Sequence, residues 1–309
     1  MITIYKHKDN GLSILTEPVA GCWFNVINPT NDEINQLSTL GLPTDYFTYP
    51  LDMNERARTE RDNGYLFIIL RIPYYQGDNA DIPYITIPMG IIITDQYLFT
   101  VCRMENEILT DFISGRVKNL STGKRQRFVL LILLKTAARY LAALNEITRG
   151  VDALEDQLQL STRNKEVLGL LKYQKSLTYF STALRANNLM LDHLQRTKLF
   201  VAYPDDEDLL EDVITENQQA IEMTNITSNI LSGMMDAFAS IISNNLNTVM
   251  KFLASVTILV SLPTLIASLY GMNVNLPFMQ HPYAFWGIVG TILFASATAG
   301  LFFWKKDWF

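Results

Sequence analysis

The spacing of apolar positions changes along the chain, and each change marks a different kind of element. In residues 1–120, short runs rich in Ile, Phe, Tyr and Val are bounded by Gly, Pro, Asn or Asp. The runs Cys22–Ile27, Tyr65–Ile72, Tyr84–Thr94 and Tyr97–Arg103 predict β-strands. Thr30-x-x-Glu33, followed by Ile34, Leu37, Leu40 and then Gly41, predicts a capped short helix. A second short helix is expected near Asn106–Lys118. From Lys124 to about Leu160, and from Asn164 to Val201, the period is helical, with a polar hinge at Ser161-Thr162-Arg163-Asn164. Phe128–Leu134 is apolar enough for a strand, but it merges without Gly or Pro into Ala137–Leu144, so the helical period decides. Pro204 breaks the chain. The next proline is Pro263 and the intervening glycine is Gly233, which predicts one helix from about residue 207 to 272, roughly 100 Å long at 1.5 Å per residue.

From Phe252 to Trp304 there is no Asp, Glu, Lys or Arg. Such a stretch can cross a bilayer twice at roughly 20 residues per crossing. The crossings are expected at Phe252–Met272 and Ala284–Trp304, joined by Asn273–Tyr283. The chain therefore divides into an α/β region at 1–120, a helical pair at 121–204 and an acidic stalk helix at 205–251. The membrane part comprises a first crossing with its end at 252–273, a loop at 274–283, a second crossing at 284–304 and a basic tail at 305–309. Lys251 precedes the first crossing and Lys305-Lys306 follow the second, while the loop has neither Lys nor Arg. Both basic ends should face the cytoplasm, with the loop outside. The N-terminus shows no apolar stretch with a small-residue cleavage site, so the large first part is expected in the cytosol. The expected location is the cell membrane, multi-pass, with both termini cytoplasmic.

The chain has 309 residues, 49% hydrophobic and 18% charged, with formal charge −6. The roughly 250 residues before the hairpin suffice for one or two domains with proper cores. Cys22 and Cys102 lack metal-ligand spacing and read as small buried hydrophobes. His7, His193 and His281 are isolated, and no His-Glu-x-x-His or nucleophile elbow occurs. Ser121-Thr122-Gly123-Lys124 lacks the upstream glycine of a phosphate loop and reads as a turn before a helix. An enzyme is not expected, nor is a cofactor or a nucleic-acid partner.

Chemistry enters along the long helix. Steps of four and three connect Asp236, Ser240, Ser243, Asn247, Met250, Ala254, Thr257, Ser261, Thr264, Ser268 and Gly271, nearly all small or polar. Inside a membrane such a line should face something polar; the alternative is tight helix–helix packing. Its continuation to Asn247 and Asp236 favours a wet axis shared by several copies. From Leu199 to Met250 no Lys or Arg occurs among Asp205, Asp206, Glu207, Asp208, Glu211, Asp212, Glu216, Glu222 and Asp236. Concentrated carboxylates repel unless cations neutralise them, and oxygen-only sites suit hard ions such as Mg²⁺. Individually, at least half of these acids read as a solvated face. Gly271-Met272-Asn273 heads the polar line where the first crossing ends. Mg²⁺ sheds water reluctantly, and a ring of Asn carbonyls can hydrogen-bond the hydrated ion.

Tyr270-Gly271-Met272-Asn273, the terminal Lys305-Lys306-Asp307-Trp308-Phe309, Leu231–Asp236 and Ser243–Lys251 together resemble the CorA family of magnesium and cobalt transporters. The resemblance is specific over residues 205–309; the first 200 residues fit by architecture. It implies a homopentameric funnel around one pore, carrying Mg²⁺ and related divalent cations. In this sequence Asn273 and Gly271, with Met272 between them, would form the selectivity filter. Asp236, Asn247 and Thr264 would be polar pore rings, with Met250 and Leu253 as the hydrophobic constriction. The same line places Ser243, Thr257, Ser261 and Ser268 on the pore. Asp212 would help bind regulatory Mg²⁺ between neighbouring subunits, with Asp78 and Asp81 as candidate partners. Mg²⁺ is thus both substrate and regulatory ligand. Two departures stand out: the loop after Asn273 has no acids, and Pro263 and Ser261 occupy places where the family often has other residues.

The expected activity is passive Mg²⁺ entry, with Co²⁺ as a second ion, driven by membrane potential and gated by internal Mg²⁺. The alternatives are a Zn²⁺ transporter of the same architecture and a membrane-anchored ion sensor that does not conduct. Trp286, Trp304 and Trp308 fit an interfacial aromatic belt, and Ala295 with Ala299 suggests packing of the second membrane helix on the first.

Overall fold

The computed structural model describes all residues except 9, 10, 63, 161–163, 201–203, 275, 276, 278–280 and 309. It comprises two compact units, Met1–Met234 and Met235–Phe309. The first unit is α/β. Among the described residues, seven strands form one sheet: β1 Ile2–Lys8, β2 Gly11–Leu15, β3 Trp23–Ile27, β4 Arg58–Asp62, β5 Tyr65–Tyr75, β6 Tyr84–Ile93 and β7 Leu98–Cys102. Their order is β2-β1-β3-β7-β6-β5-β4. β3 and β7 pair in parallel, Val26 opposite Val101, and the other neighbours are antiparallel. The four apolar runs are all strands and occupy the centre of the sheet. The outer strands β1 and β4 carry too many polar side chains for that pattern to detect.

Period-two alternation sends β5 side chains to both faces. Phe67 and Ile69 join Phe24, Val26, Phe99 and Val101 beneath α1 (Asn31–Ser38) and α2 (Asp45–Thr48). Ile68, Leu70 and Ile72 face the larger core, built with α3 (Glu107–Ile113), α4 (Arg125–Leu160) and α5 (Asn164–Arg196). The Thr30 cap is present as a reciprocal box: Thr30 Oγ1 accepts from Glu33 N–H at 3.3 Å, and the Glu33 carboxylate accepts from Thr30 N–H at 2.9 Å. Asn106 caps α3, which is shorter than expected. Lys124 N–H bonds Ser121 C=O at 3.3 Å, so the Gly-Lys segment is the expected turn before α4. α5 ends at Arg196 instead of reaching Val201, because Lys198 adopts left-handed backbone (φ 50°). The expected hinge at 161–164 lies outside the described residues, apart from Asn164, which begins α5.

α6 runs from Pro204 to Tyr270, from the first unit into the second, and α7 from Ala284 to Lys305. Among the described residues, three helices are long and apolar enough to span a membrane: α4, α6 and α7. They differ in cover. The most apolar window of α4 is 56% buried inside the protein, whereas those of α6 and α7 are 6% and 0% buried. α4 therefore satisfies its apolar surface within the α/β core. The other two leave theirs bare, which a bilayer or further copies must cover.

Candidate functional site

Every member of the polar line is exposed: Asp236, Ser240, Ser243, Asn247, Met250, Ala254, Thr257, Ser261, Thr264, Ser268 and Gly271, together with Leu253. The shielded positions of the same stretch are Ser255, Leu259, Leu262, Pro263, Ile266 and Tyr270. Ser255 and Thr257, or Leu262 and Thr264, are two residues apart, about 200° around a helix at 100° per residue. The polar line and the covered line thus lie on nearly opposite faces. α7 makes the cover: its less exposed positions include Ile288, Ile292, Ala295, Ala299 and Phe303. A Cβ on Gly300 would sit 3.9 Å from Leu259 Cδ2. Ala295 and Ala299 are among the half-buried residues, in keeping with small-residue packing. Tight packing of the polar line against α7 is excluded, because α7 occupies the other side.

The hydroxyls are held in one polarity. Thr257 Oγ1 donates to Leu253 C=O at 2.8 Å, Ser261 Oγ to Ile258 C=O at 3.1 Å and Thr264 Oγ1 to Val260 C=O at 3.0 Å. With their protons committed to the helix, these oxygens present lone pairs outward. Such a surface accepts hydrogen bonds from the waters of a hydrated cation. A groove follows it, lined by Thr257, Ser261, Thr264 and Ser268 with Val256, Val260 and Leu265. Pro263 sits inside α6. It has no N–H for the Leu259 carbonyl, yet the adjacent turn stays bonded through Thr264.

α6 ends at Tyr270, earlier than the expected Met272, so the filter residues follow the helix instead of closing it. Gly271 N–H is shared between Ala267 C=O at 2.9 Å and Ser268 C=O at 3.2 Å. A Cβ at Gly271 would lie 3.4 Å from the Ala267 oxygen. That is ordinary van der Waals contact, so Gly271 leaves the helix end open without being required there by space. Gly271, Met272 and Asn273 are all exposed. Of the acid-free loop beyond, 275, 276 and 278–280 lie outside the described residues.

The candidate regulatory acids lie in the first unit. Asp212 is exposed on α6, and Asp78 and Asp81 are exposed in the β5–β6 turn. Tyr75 OH donates to Asp78 Oδ1 at 2.7 Å, and Lys172 Nζ anchors the turn through Ala80 C=O at 2.8 Å. Nearby, Gln174 reaches Ser228 of α6 at 3.4 Å. Ser228 is 16 residues from Asp212, roughly 24 Å along the helix at 1.5 Å per residue. One chain therefore does not bring Asp78 or Asp81 to Asp212. Among the described residues, no group of three His, Cys, Asp or Glu is close enough to hold a metal ion.

Position in the acidic run does not reveal its one deeply buried member. Asp206 is 2% exposed and pairs with Arg127 of α4 at 3.2 Å. That contact ties α6 to α4, and its signal lies in a partner 79 residues away.

Comparison with known proteins settles the lineage. The model of the CorA-like Mg2+ transporter protein family matches residues 20–306. The chain belongs to this family. The match extends the resemblance well beyond residues 205–309 into the α/β unit. The "Cobalt/magnesium transport protein CorA" of Methanocaldococcus jannaschii is 28% identical over 93% of this chain and 90% of its own length. The "Magnesium transport protein CorA" of Helicobacter pylori strain 26695 is 23% identical over 97% and 93%. Among solved structures, the complete CorA magnesium transporter from M. jannaschii superposes with a TM-score of 0.86 at 24% identity, covering 100% of this chain and 99% of that one. Full-length CmaX gives 0.72 at 16% identity, covering 100% and 97%. The ZntB cytoplasmic domain from Vibrio parahaemolyticus gives 0.60 at 13%, covering 79% and 97%. At these identities the superpositions establish the CorA fold, and the family relatives are named as transport proteins.

Proposed function

We propose that this protein is a homopentameric channel for hydrated Mg²⁺, with Co²⁺ as a second substrate, set in the cell membrane with both termini cytoplasmic. The observation that carries this reading is the uninterrupted exposed polar line from Asp236 to Gly271, opposite the face that α7 covers. Subunits related by an axis running along that line would enclose lone-pair-bearing hydroxyls, with Gly271-Met272-Asn273 at its head. Asp236, Asn247 and Thr264 would form polar rings, and Met250 and Leu253 the apolar constriction.

Entry needs no chemical fuel. Moving two charges down 100 mV releases about 4.6 kcal/mol. Control would come from Asp212, where Mg²⁺ neutralises acids of adjacent subunits and holds a closed ring; when internal Mg²⁺ falls, repulsion loosens the stalks. The absence of a three-acid group within one chain accords with a site completed by a neighbour, among the described residues.

The test is Mg²⁺ influx into liposomes holding the purified protein, against Asn273→Ala. Influx in the parent and its loss in the variant support a conducting filter. Equal influx removes the filter assignment, and no influx from a correctly assembled parent leaves the sensor. Faster Zn²⁺ than Mg²⁺ entry would favour the zinc transporter.

A further inference from the structure

Residues 235–309 contain three basic side chains, Lys251, Lys305 and Lys306, and the packing of α7 on α6 gathers them. Beyond Phe238, shielding on α6 extends only from Ser255 to Tyr270, and every residue from 239 to 254 is exposed, whereas α7 has shielded positions along its length. With Gly300 against Leu259, this pattern fits antiparallel helices; a parallel α7 would cover residues near 243, which are bare. Eight residues back from Leu259 is Lys251, and eight on from Gly300 is Trp308. Lys251, Lys305 and Lys306 therefore lie within about one helical turn, 5.4 Å, of the same level.

The end of α7 is fixed rather than trailing. Trp308 N–H bonds Phe303 C=O at 3.1 Å and Asp307 N–H bonds Trp304 C=O at 3.1 Å, with Asp307 left-handed at φ 53°. This is the six-to-one and five-to-two pattern of a Schellman cap, including its usual apolar contact. Trp308 stacks on Phe303 with ring centroids 5.3 Å apart and planes at 20°. Aspartate takes the place where glycine is usual, at a backbone cost of roughly 1–2 kcal/mol, and the stack offsets it. Three lysines less Asp307 leave two positive charges here. The next acid, Asp236, is 15 residues along α6 from Lys251, roughly 22 Å. Phe252 (50% exposed), Phe302 (56%) and Trp304 (71%) flank the lysines.

We propose that this basic end of the hairpin binds the headgroup phosphate of an anionic phospholipid. Lys251, Lys305 and Lys306 hold the phosphate, and Phe252, Phe302 and Trp304 lie against the glycerol and upper acyl chains. Basic pockets between membrane helices on the cytoplasmic side suit such headgroups. The inference rests on α6 and α7 spanning a bilayer and does not depend on ion conduction.

The experiment uses the full chain in neutral detergent, with bound lipid counted by native mass spectrometry. The probes are phosphatidylglycerol, phosphatidylcholine of equal chain length, and glycerol 3-phosphate. Each lysine near an anionic surface is worth about fivefold in affinity. Phosphatidylglycerol should therefore bind at least tenfold tighter than phosphatidylcholine. Lys305→Gln with Lys306→Gln should weaken it roughly twentyfold, and the corresponding arginine pair should retain it. If the glutamine pair does not assemble, Lys251→Gln carries the same comparison with about a fivefold loss. Equal binding of the two lipids, or unchanged binding in the glutamine variants, overturns the proposal. So does glycerol 3-phosphate binding as tightly as the lipid, which would mark a site for a soluble anion.

Discussion

Single cysteines placed on α6 offer a direct test of which face meets water. The native thiols make a silent background: Cys22 and Cys102 are 0% exposed, and burial pushes both thiols up. Thr257→Cys, Ser261→Cys and Thr264→Cys put thiols on the polar line; Ser255→Cys and Leu259→Cys put them under α7. A thiol in water titrates near about 8.5, so roughly one in ten is thiolate at about pH 7.5. Ser255 is 0% exposed. Only thiolate reacts, and a charged reagent must reach it through water, so the polar face should react at least about tenfold faster than the covered one. The assay is modification of reconstituted protein by a charged, membrane-impermeant methanethiosulfonate, followed by mass. Equal rates on the two faces, or faster reaction at 255 and 259, would refute the wet conduit.

Three further outcomes follow from the α/β unit and the stalk. Asp212→Ala should relieve inhibition of Mg²⁺ influx by internal Mg²⁺ in liposomes; unchanged inhibition rejects its regulatory role. Asp206→Asn should cost about 3 kcal/mol, the low end for breaking a buried pair, because Arg127 keeps 25% of its side chain exposed. Exposed Asp208→Asn should stay within about 0.5 kcal/mol, and thermal melting of the two variants makes the comparison. Burial and then the Glu146 carboxylate push the Tyr84 phenol well above its ordinary value. The folded state thus holds this proton more tightly than the unfolded one, so the contribution is full below about pH 10 and is lost as pH rises beyond it. Tyr84→Phe should flatten the fall of the urea midpoint above about pH 10, and an unaltered slope would count against this contribution.

The strands that read correctly from sequence are those whose side chains are apolar on both faces, such as β6, where nearly every residue is buried. β4, Arg-Thr-Glu-Arg-Asp, is a strand because β5 lies beside it, and nothing local announces that. β1 and β2 pair with each other at the far edge, again through neighbours. The candidate residues were legible because a charge-free helix makes each hydroxyl conspicuous. The end of α6 two residues before Met272 was not, since it depends on how Gly271 shares its hydrogen bond.

Local periodicity and the absence of charge were enough to determine two helices long and apolar enough to span a membrane, a long acidic helix and a polar line ending in Gly-Met-Asn, because these properties depend on neighbours within one or two turns. Tertiary structure alone decided that α7 covers the opposite face, that Asp206 is the buried acid, and that three distant lysines share one level. Each of those depends on what an element packs against, and packing joins residues that the chain itself keeps far apart.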